Sequence, residues 1–253
     1  GLRDGDAVGL VAHEAAHQWF GDLLTCNTWD HIWLNESFAT YMTMLYFEST
    51  RGDAEFRMRW YDTVQGYLAS DVGQKRRPTV HDVYRDPIDL FFDGQAYGGG
   101  AVRLHYLRFM LGDESFFEGI RDYVAVNQGR GVTTSDLQNS MEKVSGRDLS
   151  VFFGQWLLSE GFPELAVSWD YDAEAGVVGL LVEQNQSSLG GTPGTFLLPV
   201  DIELRTQKGS VTHRIEINGR RQRFELSSDE MPTWVWFDEG GWVPAQIDRN
   251  KKL

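Results

Sequence analysis

Apolar residues recur at helical spacing near the start of the chain. Residues three and four positions apart lie on one face of an α-helix, so this spacing predicts a first helix with one buried face. Gly21 and Asp22 follow and predict where that helix ends. The apolar positions are Val8, Val11, Ala12, Ala15, Trp19 and Phe20.

The same periodicity continues over the first 162 residues, so this part of the chain is predicted to be mainly helical. Between residues 70 and 95 the pattern is lost, and Pro78 and Pro87 favour an irregular stretch. A capping signal, Thr133 with Asp136, predicts the start of one later helix. The other helical patterns cover residues 33–45, 56–68, 97–111, 116–126, 137–144 and 149–158.

After Gly161-Phe162-Pro163 the period changes, because apolar and polar residues begin to alternate from Leu165 onward. Short strand-like runs follow over residues 177–182, 196–204, 211–217, 223–226 and 234–237, with turn signals between them. Several short strands at this spacing predict a β-sandwich. We therefore expect an α+β multidomain chain, with a mainly helical domain at residues 1–162 and a β-sandwich domain at residues 163–253.

The first predicted helix carries a pattern with chemical meaning, His13-Glu14-Ala15-Ala16-His17. Positions four apart lie one turn above the other, so His13 and His17 can direct two imidazoles at one metal ion. Glu14 is rotated to the side, where it can reach a water on that metal but cannot easily bind the metal together with both histidines. Two imidazole ligands and a carboxylate general base on one helix are typical of zinc peptidases.

Such a zinc site needs a third protein ligand and one open position for water. Glu36 is the candidate, and it lies in the second predicted helix with eighteen residues between it and His17. Two helices joined by a short connection tend to lie antiparallel, which can return Glu36 to the level of the histidines. The alternative interpretation is a helix with two surface or capped histidines and no metal.

These residues carry a resemblance to a known family. The segment from His13 to Gly21, together with Trp33-Leu34-Asn35-Glu36, resembles the zinc site of the aminopeptidase N family of gluzincin metallopeptidases. Gln95-Ala96-Tyr97-Gly98-Gly99-Gly100-Ala101 resembles the segment with the family's catalytic tyrosine, and parts of residues 146–163 resemble its closing helices. The resemblance implies a thermolysin-like catalytic portion followed by an Ig-like β-sandwich.

The resemblance also implies the roles of individual residues. One Zn²⁺ per chain would be held by His13, His17 and Glu36, with Glu14 as the general base. Tyr97 would be the catalytic hydrogen-bond donor to the oxyanion of the tetrahedral intermediate. Without the family pattern, Tyr97 reads as a buried core tyrosine.

The chain departs from the family pattern in two places. The family usually has Lys two residues after the tyrosine, where this chain has Gly99 within Gly98-Gly99-Gly100. These glycines either let substrate approach the backbone or mark a flexible turn. The family's exopeptidase motif, Gly-x-Met-Glu-Asn, whose glutamate helps hold the substrate amino group, is absent. Residue 1 is Gly instead of Met, and the predicted zinc helix begins close to it, which suggests a fragment or a processed product.

Composition narrows the classes of partner. Nine Trp, nine Tyr and fifteen Phe among 253 residues indicate a folded globular protein. The formal net charge of −14 disfavours nucleic acid as a partner, and no apolar run is long enough to span a bilayer. Cys26 is the single cysteine, so no intrachain disulfide is possible. A soluble cytoplasmic protein fits, and a cysteine-poor secreted protein would fit as well.

The expected function is zinc-dependent hydrolysis of peptides, with removal of amino-terminal residues as the leading hypothesis. Two alternatives stay open: an endopeptidase or related hydrolase on the same site, and a metal-binding homologue without catalysis. The intact Glu14 speaks against the second, because a site that only binds zinc has no need of it. Asn35 is expected either to orient Glu36 or to make a hydrogen bond on the helix surface. Cys26 is expected to be a buried, inert thiol.

Overall fold

The helices and strands of this chain are described by a computed structural model over residues 4–71 and 76–249. The chain divides into two units, Gly1–Gly161 and Phe162–Leu253. The first is mainly helical and the second is built from strands, which confirms the predicted α+β fold class. Residues 72–75 of the predicted irregular stretch lie outside the described residues. None of the helices in the described ranges combines the length and hydropathy needed to cross a bilayer.

The helices of the first unit lie close to the predicted segments, and the longest connection, between α3 and α4, covers most of the predicted irregular stretch. They are α1 (Asp4–Ala16), α2 (Trp33–Arg51), α3 (Asp53–Ser70), α4 (Gly100–Leu111), α5 (Asp113–Asn127), α6 (Thr134–Ser145) and α7 (Ser150–Trp156). A π-helical turn, Gln95–Gly99, runs directly into α4. Two short strands that the sequence pattern did not predict, β1 (Thr25–Cys26) and β2 (Gly131–Val132), pair in parallel.

Helix α2 is the centre of the first unit, because it packs against α1, α3, α4 and the π-helical turn. Its buried residues include Trp33, Phe38 and Tyr41. The ring of Phe38 stacks on that of Phe20, with the ring centroids 4.4 Å apart. Burial of large aromatic rings contributes more to core stability than burial of any other side chains, so these contacts fix α2 in place.

The start of α6 follows the predicted capping signal. The backbone N–H and the hydroxyl of Thr133 both donate to Asp136 Oδ2, at 2.7 and 2.8 Å. The bond from the Thr133 N–H satisfies a backbone donor at the start of the helix, as the Asp136 side chain does in a capping box. The capping signal is therefore confirmed.

The predicted buried face of α1 is wrong in part. Ala16 and Phe20 are buried, but Val11 and Trp19 have 68% and 55% of their surface exposed. Periodicity identifies residues that share a face, but it does not tell which face a neighbour covers. Helix α1 meets α2 through the face that carries Gly9, where a Cβ would lie 3.6 Å from the Phe47 ring. In the described residues, the face with Val11 remains open to solvent.

The second unit contains two β-sheets. Its strands are β3 (Glu164–Asp172), β4 (Val177–Gln184), β5 (Leu198–Thr206), β6 (Gly209–Ile217), β7 (Arg221–Ser227), β8 (Trp234–Phe237) and β9 (Gln246–Asp248). One sheet has the order β7-β4-β3-β9 and the other β6-β5-β8, and all pairs are antiparallel except β3 with β9. Alternate residues of β5, from Leu198 to Leu204, are buried, as a strand with one face on a core requires.

Gly100 allows α4 to approach α2 closely, and it provides a test of this packing. A Cβ at position 100 would lie 2.8 Å from Trp33 Cε3 and closer still to Ser37 Oγ. We expect Gly100→Ala to lower the free energy of unfolding by about 1–3 kcal/mol, as other overpacking substitutions do. Urea denaturation followed by circular dichroism measures this change.

Gly66→Ala in α3 is the matched control, because a Cβ at this helical position meets nothing within 4 Å. Removing a helix glycine at an open position should raise the free energy of unfolding by up to about 1 kcal/mol. A Gly100→Ala protein at least as stable as the wild type would contradict the described contact between α2 and α4.

Candidate metal and catalytic centre

Three side chains from α1, α2 and the residue after α1 meet at one point. His13 Nε2 and His17 Nε2 are 3.2 Å apart, and Glu36 Oε2 lies 3.4 Å from the first and 3.5 Å from the second. All three side chains are partly buried. Over residues 4–71 and 76–249, no second group of three His, Cys, Asp or Glu side chains comes together in this way. Helical spacing and the return of α2 thus bring the predicted ligands together.

The orientation of the His17 ring follows from the turn after α1. His17 is the residue after the last one in α1, and its N–H still donates to the carbonyl of His13 at 3.3 Å. Its Nδ1 lies 2.9 Å from the carbonyl oxygen of Phe20. A carbonyl can only accept, so the proton resides on Nδ1, and the lone pair of Nε2 points toward His13 and Glu36.

Gly21 makes this turn possible. Its φ is +147°, in a region that side chains disfavour, and a Cβ there would lie 3.2 Å from His17 Nδ1. The glycine that the sequence pattern assigned to the helix end therefore also makes room for a metal-ligand candidate. The helix itself ends earlier, at Ala16.

Glu36 and Asn35 lie in the first turn of α2. The N–H of Glu36 donates to the carbonyl of Ile32 at 3.1 Å, so the residue is already part of the helix. Asn35 Oδ1 accepts from the N–H of Cys26 at 3.1 Å, and its Nδ2 donates to Thr25 Oγ1 at 3.4 Å. Asn35 therefore ties the connection between α1 and α2 to the start of α2, and these bonds do not involve the Glu36 carboxylate.

Glu14 lies outside the group of three converging side chains. It follows His13 on α1, so its side chain is rotated by about 100° from that of His13. The residue is exposed to solvent. Its charge is the smallest of the three causes that raise the pKa of Tyr97 above its ordinary value. The structure thus separates Glu14 from the ligand candidates, as the helical spacing predicts.

Tyr97 faces the same site from the π-helical turn. Its ring stacks on that of His13, with centroids 6.1 Å apart and planes inclined by 28°. It also packs on a small core around Ile32 and Leu90. Partial burial, and then the charges of Glu36 and Glu14, raise the pKa of Tyr97 above its ordinary value. The phenol therefore stays protonated at neutral pH and can donate a hydrogen bond.

Sequence reasoning missed the π-helical turn that carries Tyr97. The N–H of Gly99 donates to the carbonyl of Gly94 five residues back, at 2.8 Å. From α2, the hydroxyl of Ser37 donates to the carbonyl of Ala96 at 2.6 Å. No sequence signal identifies this turn, although the run of three glycines indicates an unusual backbone. Turns of this kind occur often at functional sites.

The structure gives a third explanation for Gly99, which the sequence left open between substrate approach and a flexible turn. Gly99 is buried and has helical dihedral angles. A Cβ there would lie 2.8 Å from Gln95 Oε1 and 3.1 Å from Arg103 Nη1. The space for a side chain at position 99 is thus already filled by two polar groups.

Two further histidines, His31 and His105, and the cysteine Cys26 are not part of the group of three ligand candidates. His31 Nδ1 lies 3.0 Å from Thr134 Oγ1, and His105 is buried beside Tyr41, with Nδ1 3.0 Å from the Tyr41 hydroxyl. Burial lowers the pKa of both histidines. Cys26 is partly buried, and burial raises the pKa of its thiol, which fits an unreactive cysteine.

Known proteins are similar in sequence to this chain. Residues 3–156 match the peptidase family M1 domain. The chain is 32% identical over 240 residues to probable aminopeptidase 2 of Sulfurisphaera tokodaii, covering 92% of this chain and 29% of that protein. It is 34% identical over 225 residues to tricorn protease-interacting factor F2 of Thermoplasma volcanium, covering 85% and 27%. The chain thus spans less than a third of the length of either relative.

A solved structure shares the fold. The crystal structure of Legionella pneumophila aminopeptidase A in complex with aspartic acid superimposes with a TM-score of 0.76 at 20% sequence identity, covering 96% of this chain and 27% of that one. At this identity the likeness concerns the fold alone. The family match over more than half of the chain agrees with the resemblance carried by its zinc-site and tyrosine motifs, and the chain belongs to peptidase family M1.

Proposed function

We propose that the protein containing this chain is a zinc-dependent aminopeptidase and that His13, His17 and Glu36 hold the Zn²⁺. The observation that carries this proposal is the convergence of three donor atoms within 4.8 Å of one another. Two imidazole nitrogens and a carboxylate oxygen form a donor set used by catalytic zinc sites. The bond from His17 Nδ1–H to the Phe20 carbonyl supports the same role, because it fixes the ring with Nε2 toward the site.

Removal of amino-terminal residues is supported by the activities named for relatives. Besides the Sulfurisphaera protein, the chain is 32% identical to aminopeptidase N of Streptomyces lividans over 71% of its length. The expected substrate is therefore a peptide with a free amino terminus. All proposed site residues belong to the helical domain that we assign to residues 1–162, and none to the β-sandwich domain at residues 163–253.

Zinc bound by these three residues would act as a Lewis acid that polarises the peptide carbonyl and makes water more acidic. The chain's own Glu14 moves the proton. Its carboxylate accepts a proton from the attacking water and delivers it to the nitrogen of the leaving amine. The position of Glu14 beside His13, exposed and outside the ligand group, supports this role.

Tyr97 donates a hydrogen bond to the oxygen of the peptide carbonyl as negative charge develops on it. Its stacking against His13 supports a position at the reacting carbonyl. Its raised pKa supports the donor role, because the phenol keeps its proton through neutral pH. The interaction strengthens as the transition state forms, so it acts on turnover more than on substrate binding.

The metal assignment predicts one zinc per chain. Elemental analysis of the full polypeptide, purified without chelator, measures it. His17→Ala removes one of three protein ligands and should lower the zinc content well below one per chain. His81→Ala, which removes a partly exposed loop imidazole, should leave it unchanged. Wild-type protein without zinc, or undiminished zinc in His17→Ala, would contradict the assignment.

The base assignment predicts that Glu14→Gln keeps its zinc but lowers turnover of an amino acid anilide by about 10²–10⁴-fold, the range for a lost general base. Asp22→Asn removes another exposed carboxylate in the turn after α1 and should have little effect. Loss of zinc together with activity in Glu14→Gln would show that Glu14 has a ligand role instead. Near-normal turnover would favour another base.

The donor assignment predicts that Tyr97→Phe lowers turnover by about 10²–10³-fold, as for other single oxyanion donors. The Michaelis constant and zinc content should change little, because the ring remains. Tyr84→Phe is the matched control, since Tyr84 packs on the same small core around Ile32 and Leu90. Steady-state kinetics on the full polypeptide measures these changes. Near-normal turnover in Tyr97→Phe would contradict the donor role and would mean that Tyr97 only packs in the core.

A further inference from the structure

An arginine lies buried directly beneath the turn that carries Tyr97. Arg103, in the first turn of α4, has only 1% of its surface exposed. Its Nη1 donates to the carbonyl of Gly99 at 2.7 Å and to Gln95 Oε1 at 3.2 Å. Gln95 and Gly99 are the first and last residues of the π-helical turn. One guanidinium nitrogen therefore connects both ends of this turn.

The other side of the guanidinium is held by α3. Arg103 Nη2 donates to the hydroxyl of Tyr67 at 2.8 Å, and the guanidinium carbon lies 4.8 Å from the centroid of the Tyr67 ring. The Tyr67 hydroxyl in turn donates to Asp71 Oδ2 at 3.3 Å. Asp71 is fully buried, and burial raises its pKa while the charge of Arg103 opposes that rise. The Tyr67 hydroxyl thus links the guanidinium of Arg103 to the carboxyl group of Asp71.

Gln95 has further partners that orient its side chain and backbone. Its Oε1 accepts from Thr79 Oγ1 at 3.2 Å, and its N–H donates to Asp93 Oδ1 at 3.0 Å. Asp93 is held by Arg77 through two nitrogens, with Nη2 2.9 Å from Asp93 Oδ1. The acceptor that Arg103 uses on Gln95 is therefore itself fixed in position.

Burying a guanidinium costs free energy that an apolar side chain would not cost. The bonds of Arg103 to the turn go to Gly99 and Gln95, two residues that flank Tyr97 within one π-helical turn. The π-helix is rare and occurs mostly as a single turn that inserts one extra residue into an α-helix. If the turn became α-helical, the helix would contain one residue fewer per turn at this point, and the side chains before it would rotate by about 100° around the helix axis.

We propose that Arg103 is a positioning residue for Tyr97: it clamps the two ends of the π-helical turn and so sets the direction of the phenol hydroxyl. The inference rests on the donor role proposed for Tyr97. Gly99 is part of the same device, because a Cβ at that position would lie 3.1 Å from Arg103 Nη1. Arg103 contacts the turn and is itself buried, so in this proposal it acts through Tyr97.

Arg103→Lys tests this clamp. Lysine keeps the charge, but its single ammonium lacks the planar geometry of a guanidinium. It therefore cannot donate hydrogen bonds to Gly99, Gln95 and Tyr67 as arginine does. Turnover of the full polypeptide should fall by about 10–100-fold, the scale of a small misplacement of a reacting group. The Michaelis constant and the zinc content should stay near the wild-type values. Wild-type turnover would overturn the proposal.

Arg108→Lys is the matched control. Arg108 is also a buried arginine of α4, with 8% of its surface exposed, but its Nε and Nη2 bind Asp113 at 2.7 and 2.8 Å. Arg108→Lys shows how turnover changes when a buried arginine of α4 is replaced by lysine while the bonds of Arg103 to the π-helical turn are kept. A fall in turnover as large in Arg108→Lys as in Arg103→Lys would overturn a specific positioning role.

A double-mutant cycle with Tyr97→Phe shows whether Arg103 acts through the phenol. If it does, Arg103→Lys should lower turnover by less than about threefold once the Tyr97 hydroxyl is absent, because residues that act together are not additive. Full additivity would overturn the proposal. If Tyr97→Phe alone turns over normally, the donor role itself fails, and that outcome is distinguishable from failure of the clamp.

Hydrogen exchange gives a readout that needs no activity. Amides in residues 94–101 should exchange faster in Arg103→Lys than in the wild type, and at the wild-type rate in Arg108→Lys. If Arg103→Lys does not fold, Tyr67→Phe takes its place in the test. This change removes only the hydroxyl that Nη2 binds, and it should raise the exchange rate and lower turnover, as expected for Arg103→Lys. Unchanged exchange in the folded variant would overturn the clamp.

Discussion

The close contact between α2 and the turn before α4 is the constraint on which the site depends. Glu36 and Ser37 are consecutive on α2, so their side chains diverge by about 100°. Glu36 Oε2 faces the histidines of α1, and the Ser37 hydroxyl donates to the carbonyl of Ala96, beside Tyr97. A shift of α2 would move the ligand candidate and the support of the phenol together. One helix therefore fixes the distance between the two halves of the site.

The histidine half and the tyrosine half of the site are held in place by different kinds of interaction. The histidine half rests on helical spacing, on one bond from His17 to the Phe20 carbonyl and on Gly21, all close together in the sequence. The tyrosine half rests on buried polar contacts between distant segments, with Arg103 bound to Tyr67 and Gly99. Buried polar networks specify geometry strictly, because any member left unpaired costs more than a surface bond would.

This difference explains how much the sequence could predict. The pairing of His13 with His17, the helices, the capping box at Thr133 and most strands follow from local spacing. The π-helical turn does not, because its bonds come from residues as far away as Ser37, and glycines carry no side-chain pattern. The exposure of Val11 could not be predicted either, because periodicity shows which residues share a helix face but not which neighbouring element covers that face.

The glycine run shows how packing, and not flexibility, can account for a departure from a family pattern. The space that a side chain at position 100 would need is occupied by Ser37 and Trp33. The space at position 99 is occupied by Gln95 and Arg103. Neither position has the positive φ that would make glycine necessary for the backbone alone. Positions 99 and 103 compete for one volume beneath Tyr97. A larger residue at the first therefore requires a smaller one, or a different rotamer, at the second.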